Sequence, residues 1–173
     1  MGERSLEEVA VFFTPDDAAA WDSAHANRSG FVEALVAAHY VKQGYHVLRE
    51  FCTTSRDVKP KGGLKWHSTQ LLHDVVGSDV SCFLQEQMAG DNPLGYGEPD
   101  LFVFREPHPN DPKINFPDTR EWFFVEVKGP RDKVRDNQLV FWGQLEDAFG
   151  PNLVTLVRVA REGSRPQLER VSY

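Results

Sequence analysis

Along much of the chain the hydrophobic positions recur with one of two periods, and the period assigns each segment. Over residues 30–43 the apolar stripe of Phe31, Val32, Leu35, Val36 and Ala38 repeats at helical spacing, with Glu33 at its edge. Ser29 supplies a cap and Gly44 a stop. Tyr45 to Phe51 reads as a strand, as does Asp100 to Phe104. The clearest strand is Glu121–Lys128, where Trp122, Phe124, Glu126 and Lys128 share one face and Phe123, Val125 and Val127 the other. A helix over about 133–149 gathers Val134, Phe141, Trp142, Leu145, Ala148 and Phe149 on one side and ends at Gly150-Pro151. A strand at about 153–160 follows, and a short one at 167–172 closes the chain.

The remaining segments are less regular. Residues 1–28 read as an N-terminal helical extension of one or two short helices, with Thr14-Pro15-Asp16-Asp17 at a helix start. Residues 52–97 read as an insertion, where a Lys/Gly-rich stretch leads to two short helices at Gln70–Val76 and Val80–Met88. The Pro-rich segment 105–120 is a solvated connection. Without the insertion the order is helix, three strands, helix, strand, which predicts a mixed α/β arrangement with helices covering a sheet.

At 173 residues, 40% hydrophobic and 26% charged, the chain fits a single folded domain over 1–173. No apolar run reaches the length of a membrane-spanning helix, and the N-terminus lacks the pattern of a secretory signal. Cys52 and Cys82 are too few for a disulfide framework. These features predict a soluble intracellular protein, cytoplasmic or, in a eukaryote, nuclear. The net charge of −7 excludes indiscriminate nucleic-acid or membrane binding. Its distribution is uneven: residues 1–26 carry six acids against Arg4, whereas 42–65 carry six Lys and Arg against Glu50 and Asp57.

The candidate chemistry lies on adjacent strands. Asp100 opens one, and Glu126 and Lys128 stand on the same face near the end of the next, about 6.6 Å apart along the chain. Two converging carboxylates suit a hard divalent cation such as Mg²⁺ or Mn²⁺, with the backbone carbonyl of Val127 as a third oxygen. Such a site can hydrolyse a phosphodiester, the cation neutralising the phosphate and the Lys128 ammonium offsetting charge in the transition state. The competing reading is an exposed Glu126–Lys128 ion pair worth at most about 1 kcal/mol. Against it, Glu126 sits among residues that favour burial, where a charge requires a partner. Gln138 is a polar residue in the middle of the apolar helix stripe. It either satisfies a nearby backbone group or reaches the same pocket as Glu126.

Three motifs, Gly97-Glu98-Pro99-Asp100-Leu101-Phe102-Val103-Phe104, then Phe124-Val125-Glu126-Val127-Lys128-Gly129-Pro130, then Asp132 to Gln138 followed by Trp142, occur in order. Together they resemble the virus-type replication-repair nuclease (VRR-NUC) family of the PD-(D/E)XK nuclease superfamily. The resemblance covers residues 97–160 closely and 29–51 more loosely. It implies a restriction-endonuclease-like core (αβββαβ, mixed sheet flanked by helices) with the insertion between the first and second core strands. It further implies that Asp100 and Glu126 are metal ligands, that Lys128 is the catalytic lysine, that Gln138 is the glutamine of the following helix, and that Glu33 completes the metal site. Glu50 and Glu98 are the acids most easily confused with Glu33.

The expected activity is Mg²⁺- or Mn²⁺-dependent cleavage of DNA, with branched, flapped or junction structures and a homodimer suggested by the family. In the insertion, Lys59, Lys61, Lys65 and Trp66, with His67, mix cations and ring faces suited to phosphates and bases. A surface loop or a dimer contact is the alternative. His67, His73 and Cys82 lack the spacing of a zinc site. Two other functions are open: a nuclease-fold protein that binds or regulates without cutting, and an RNA-directed nuclease.

Overall fold

The computed structural model describes residues 7–25, 30–53, 64–88, 98–106, 121–130 and 132–164. Its elements are β1 (Glu7–Phe13), α1 (Pro15–Ala24), α2 (Phe31–Lys42), β2 (His46–Leu48), α3 (Leu64–Met88), β3 (Leu101–Arg105), β4 (Glu121–Lys128), α4 (Asp136–Phe149) and β5 (Val154–Arg161). The strands form one mixed sheet in the order β1-β5-β4-β3-β2. The hairpin-like neighbours β2, β3 and β4 are antiparallel, whereas β5 joins β4, and β1 joins β5, in parallel. A parallel neighbour requires a crossover, and α4 supplies it between β4 and β5. This is the expected α/β fold, a restriction-endonuclease-like sheet flanked by helices.

Alternation along the strands creates two cores. On one face Phe102, Phe104, Phe124 and Leu156 pack with Leu72, Val76 and Leu84 of α3 and with Phe141, Trp142 and Leu145 of α4. On the other, Leu101, Val103, Val125, Val127, Val157 and Val159 pack with Val36, Ala37 and Tyr40 of α2. Full burial of each large side chain contributes roughly 1.5–3 kcal/mol, so the central strands β3, β4 and β5 are fixed from both sides.

Several details differ from the sequence-based expectation, among them the strand expected over Tyr45–Phe51, which forms only at His46–Leu48, and Ala38, expected in the apolar stripe of α2 but exposed. Residues 7–13, expected within an N-terminal helical extension, are an edge strand. Val11 is buried and Phe12 is exposed, the period-2 signature of a strand, but its partner β5 lies far along the chain and leaves no local trace. Pro15–Ala24 is helical as expected, its start set by reciprocal hydrogen bonds between Thr14 and Asp17. The two helices expected at Gln70–Val76 and Val80–Met88 are both present within α3 and meet at Gly77, whose φ of 81° lies in the left-handed region that glycine tolerates, but the first starts earlier than expected, at Leu64. Ala148, expected in the core stripe of α4, is exposed, because the apolar face is centred on Phe141, Trp142 and Leu145. Ser29 and the strand expected at 167–172 lie outside the described residues. Among the described residues, no helix is long and apolar enough to cross a membrane.

Candidate active site

The site forms where β4 ends. Glu126 and Lys128 follow Phe124 on the face covered by α3 and α4, and Val127 points to the opposite face against α2. The antiparallel pairing of β3 with β4 runs out at Leu101 opposite Val125. Beyond that point the Val127 N–H has no partner on β3, and it donates instead to Asp100 Oδ2 at 2.8 Å. That bond satisfies a backbone donor and seats the Asp100 carboxylate beside Glu126.

Glu126 is 2% exposed. Its Oε1 accepts from Lys128 Nζ at 2.6 Å and from Gln138 Nε2 at 2.6 Å. Gln138 in turn accepts the Arg135 N–H on its Oε1 at 3.1 Å, so one amide links the first turn of α4 to the strand carboxylate. The Lys128–Glu126 pair is therefore buried rather than an exposed edge pair. Of the two readings of Gln138, the geometry combines both: one end of its amide serves a backbone donor and the other reaches the acid.

Electrostatics at this corner favour uptake of positive charge. Burial, reinforced by the Asp100 carboxylate, pushes Glu126 up to about 7, against the opposing pull of Lys128 and Gln138. Asp100 is also raised, first by burial and then by Glu33 and Asp132, while the Val127 N–H and Lys128 work the other way. Glu33, in the first turn of α2, thus acts on Asp100 through space. Glu126 Oε2 and Glu33 Oε2 are buried without a hydrogen-bond partner. Buried acceptors of this kind are costly when unsatisfied.

These residues fit a hard divalent cation. The donors are carboxylate oxygens, two of which lack any other partner, and Mg²⁺ is commonly held by one or two carboxylates with water completing its shell. Among the described residues, no group of three His, Cys, Asp or Glu side chains by itself forms a metal cage, so water and substrate oxygens are required in the shell.

Asp100 and Glu33 also line a cleft of about 510 Å³, whose other walls include Gly30, Arg49, Glu50 and Ser68. The turn after Lys128 is tightly held. Gly129 N–H donates to Asp132 Oδ2 at 2.9 Å, and Arg158 Nη1 donates to the Asp132 carbonyl at 3.0 Å. A Cβ at Gly129 would stand 3.0 Å from Asp132 Oδ2, so a larger residue there would push the Asp132 carboxylate aside. Arg158 is in register with Lys128 on the neighbouring strand.

The structure therefore brings together Asp100, Glu126, Val127, Lys128 and Gln138, with Glu33 on the adjoining cleft. Lys59 and Lys61 lie outside the described residues. Lys65 is exposed and Trp66 half-buried at the start of α3, where the neighbouring Leu64 and Ser68 line the cleft. Glu98 is committed elsewhere, its Oε1 accepting from the backbone and side chain of Thr53, each at 2.8 Å. His73 is buried against Ser81, at 2.8 Å, and Cys82 is exposed, which separates the residues of the discounted zinc site. Sequence reasoning assigned no role to Arg49 or Arg158. The signal for Arg158 was a charge inside the apolar run of β5; for Arg49 it was membership of the basic segment 42–65.

Comparison with known families agrees with this geometry. The VRR-NUC domain model matches residues 53–160, well over half of the chain, a range that includes Asp100, Glu126, Lys128 and Gln138 but not Glu33 or Arg49. A search of curated proteins gives no match.

Proposed function

The chain belongs to the VRR-NUC family of the PD-(D/E)XK nuclease superfamily and is thereby a nuclease, and on that premise we propose that it cleaves DNA phosphodiesters with a divalent cation, Mg²⁺ or Mn²⁺. The observation that carries the reading is the convergence of Asp100, Glu126 and Lys128 at the end of β4, with a buried Glu126 oxygen that has no partner.

Asp100 and Glu126 would hold the cation, with the Val127 carbonyl and Glu33 as further oxygens. When bound, the cation supplies charge neutralisation at the phosphate and lowers the pKa of a coordinated water. The protein's own part is to prepare the surroundings. Gln138 and Lys128 fix the Glu126 carboxylate in one orientation. The Lys128 ammonium is placed to orient a water or to offset negative charge developing on the phosphate oxygens. Burial of the pair keeps these interactions strong.

In this reading the substrate is DNA, with branched, flapped or junction forms preferred through shape and phosphate contacts, since no recognition-helix motif is visible. Residues 1–173 act as one nuclease domain in which the 52–97 insertion contributes Lys59, Lys61, Lys65 and Trp66 to substrate. Two copies would cut both strands of a junction; a strictly monomeric active species removes that part. The setting is intracellular, in keeping with neither Cys52 nor Cys82 being in a disulfide.

The net charge of −7 favours one alternative, a nuclease-fold protein that binds without cutting. The discriminating experiment compares wild type with Glu126→Ala on single-stranded, duplex, flapped and four-way DNA and on RNA, with Mg²⁺, Mn²⁺ or EDTA. Cleavage by wild type alone, stopped by EDTA, is the expected result. Absence of cleavage on every substrate overturns the assignment, and preference for RNA redirects it.

A further inference from the structure

Arg49 follows β2 directly and lines the cleft that contains Asp100 and Glu33. The cleft's other charged walls are acids: Glu33, Glu50 and Asp100. Arg49 is the cation among its described lining residues. Its guanidinium is not consumed by an ion pair among the described residues; Nη2 donates to the Gly30 carbonyl at 3.1 Å. Gly30 caps α2, so this bond ties the guanidinium to the start of the helix that carries Glu33. Three acids repel a polyanion, and a strand entering this cleft requires a cation at its wall as well as at its floor.

We infer that Arg49 is a substrate-binding residue that holds the phosphate next to the one being cut, on the same strand, as the strand lies in the cleft between α2 and α3. The inference rests on the nuclease reading above. Four features support it. A guanidinium presents N–H donors in a planar fork that matches phosphate oxygens. Its anchor is a neutral carbonyl and not a carboxylate, which limits the side chain's freedom without an ion pair among the described residues. The cleft volume, about 510 Å³, lies in the range of roughly 300–1,000 Å³ that accommodates a ligand of small-molecule size, which suits a nucleotide of one strand. Finally, the cleft shares Asp100 and Glu33 with the site of cleavage, so an occupant of it lies beside the scissile phosphate. Contacts of this kind read backbone and carry no base preference.

The test uses the full chain and a fluorescent single-stranded oligonucleotide, with binding followed by anisotropy in EDTA over a series of salt concentrations, and cleavage kinetics followed separately with Mg²⁺. Arg49→Gln removes the charge and keeps a polar side chain that is too short to hold the Gly30 carbonyl, a loss that the melting temperature monitors. It is expected to weaken binding and to reduce the slope of log affinity against log salt by about 0.7, the loss of one phosphate contact to a single strand. KM rises by a larger factor than kcat falls, and Arg49→Lys recovers most of the salt slope. Arg105→Gln, a loss of the same charge beside Tyr45, leaves the slope unchanged. A wild-type slope in Arg49→Gln, or an equal loss in Arg105→Gln, overturns the inference while leaving the nuclease intact. A wild type that neither binds nor cuts overturns the nuclease reading and this inference with it. Melting temperature of each variant separates a fold defect, which Arg49→Lys does not rescue in the slope, from a lost contact.

Discussion

Gln138 Nε2 donates to Glu126 Oε1 at 2.6 Å, across the boundary between α4 and β4. The bond consumes one end of the amide, while the other accepts the Arg135 N–H at 3.1 Å. Gln138→Leu therefore leaves a carboxylate oxygen short of a donor and a backbone N–H short of an acceptor. The apolar replacement suits the core face but not this network. Because Gln138 holds down the titration of Glu126, its loss raises that carboxyl further. Cleavage is expected to fall roughly 10–100-fold, as for other residues that orient a metal ligand, with the acid limb of the pH profile moved to higher pH. An unchanged profile would show Gln138 to be structural only.

The two carboxylates are costly to the fold without a cation, since burial raises both, with Asp100 adding to the shift of Glu126 and Glu33 and Asp132 adding to that of Asp100. Substitutions that keep shape and remove charge should therefore separate stability from activity. Asp100→Asn and Glu126→Gln are each expected to raise the melting temperature of the metal-free protein and to reduce cleavage by at least about 10²-fold. Titration calorimetry with Mn²⁺ should show weakened binding in both. A variant with wild-type activity sinks the metal assignment.

How much of this was legible from the chain depends on the range of the interaction. Glu126 and Lys128 share a face because a strand alternates, and that is readable from eight residues. The polar Gln138 in the middle of an apolar stripe advertised a partner, though not which one. β1 was misread because a strand of this length is stabilised by a neighbour that only the fold supplies. The break in α3 falls in the gap that the sequence pattern left between Val76 and Val80, while the left-handed φ of Gly77 that makes it is permitted by the residue type and not required by it. The Asp100 bond to Val127 was invisible because it exists only where the β3 ladder ends. Arg49 looked like one charge of a basic segment until the cleft placed it opposite the acids.

Lys128 serves both the buried pair and the reaction. Lys128→Ala removes the ammonium 2.6 Å from Glu126 Oε1 and leaves a buried carboxylate with Gln138 alone. The rate is expected to fall by about 10²–10³-fold, the usual loss for one preorganised electrostatic donor. The same change should destabilise the fold by roughly 3–5 kcal/mol where Glu126 is ionised, and by much less where it is protonated. Comparing denaturant midpoints at pH 5 and pH 8 checks this. Equal losses at both pH values would mean that the pair contributes packing rather than charge compensation.

The same carboxyl sets a pH dependence of the whole molecule. Glu126 titrates near 7 in the fold instead of at its ordinary 4.5, chiefly from burial and then from Asp100. Below 4.5 the group is protonated folded or unfolded and imposes no penalty. Between 4.5 and 7 the unfolded chain ionises first, so unfolding releases a proton and rising pH favours it. Above 7 the penalty is complete, at most about 3 kcal/mol, and Asp100 adds in the same direction. Other carboxylates shift stability on their own account, so the informative quantity is the difference between wild type and Glu126→Gln. Measured without metal, the melting temperature of wild type relative to the variant is expected to drop by roughly 6–12 °C from pH 5 to pH 8. Mn²⁺ added at pH 8 should recover the loss in wild type and not in Glu126→Gln, because the cation binds the ionised carboxylate that the variant lacks. Parallel curves for the two proteins across that range would place Glu126 in an ordinary solvated environment and remove the electrostatic basis of the site.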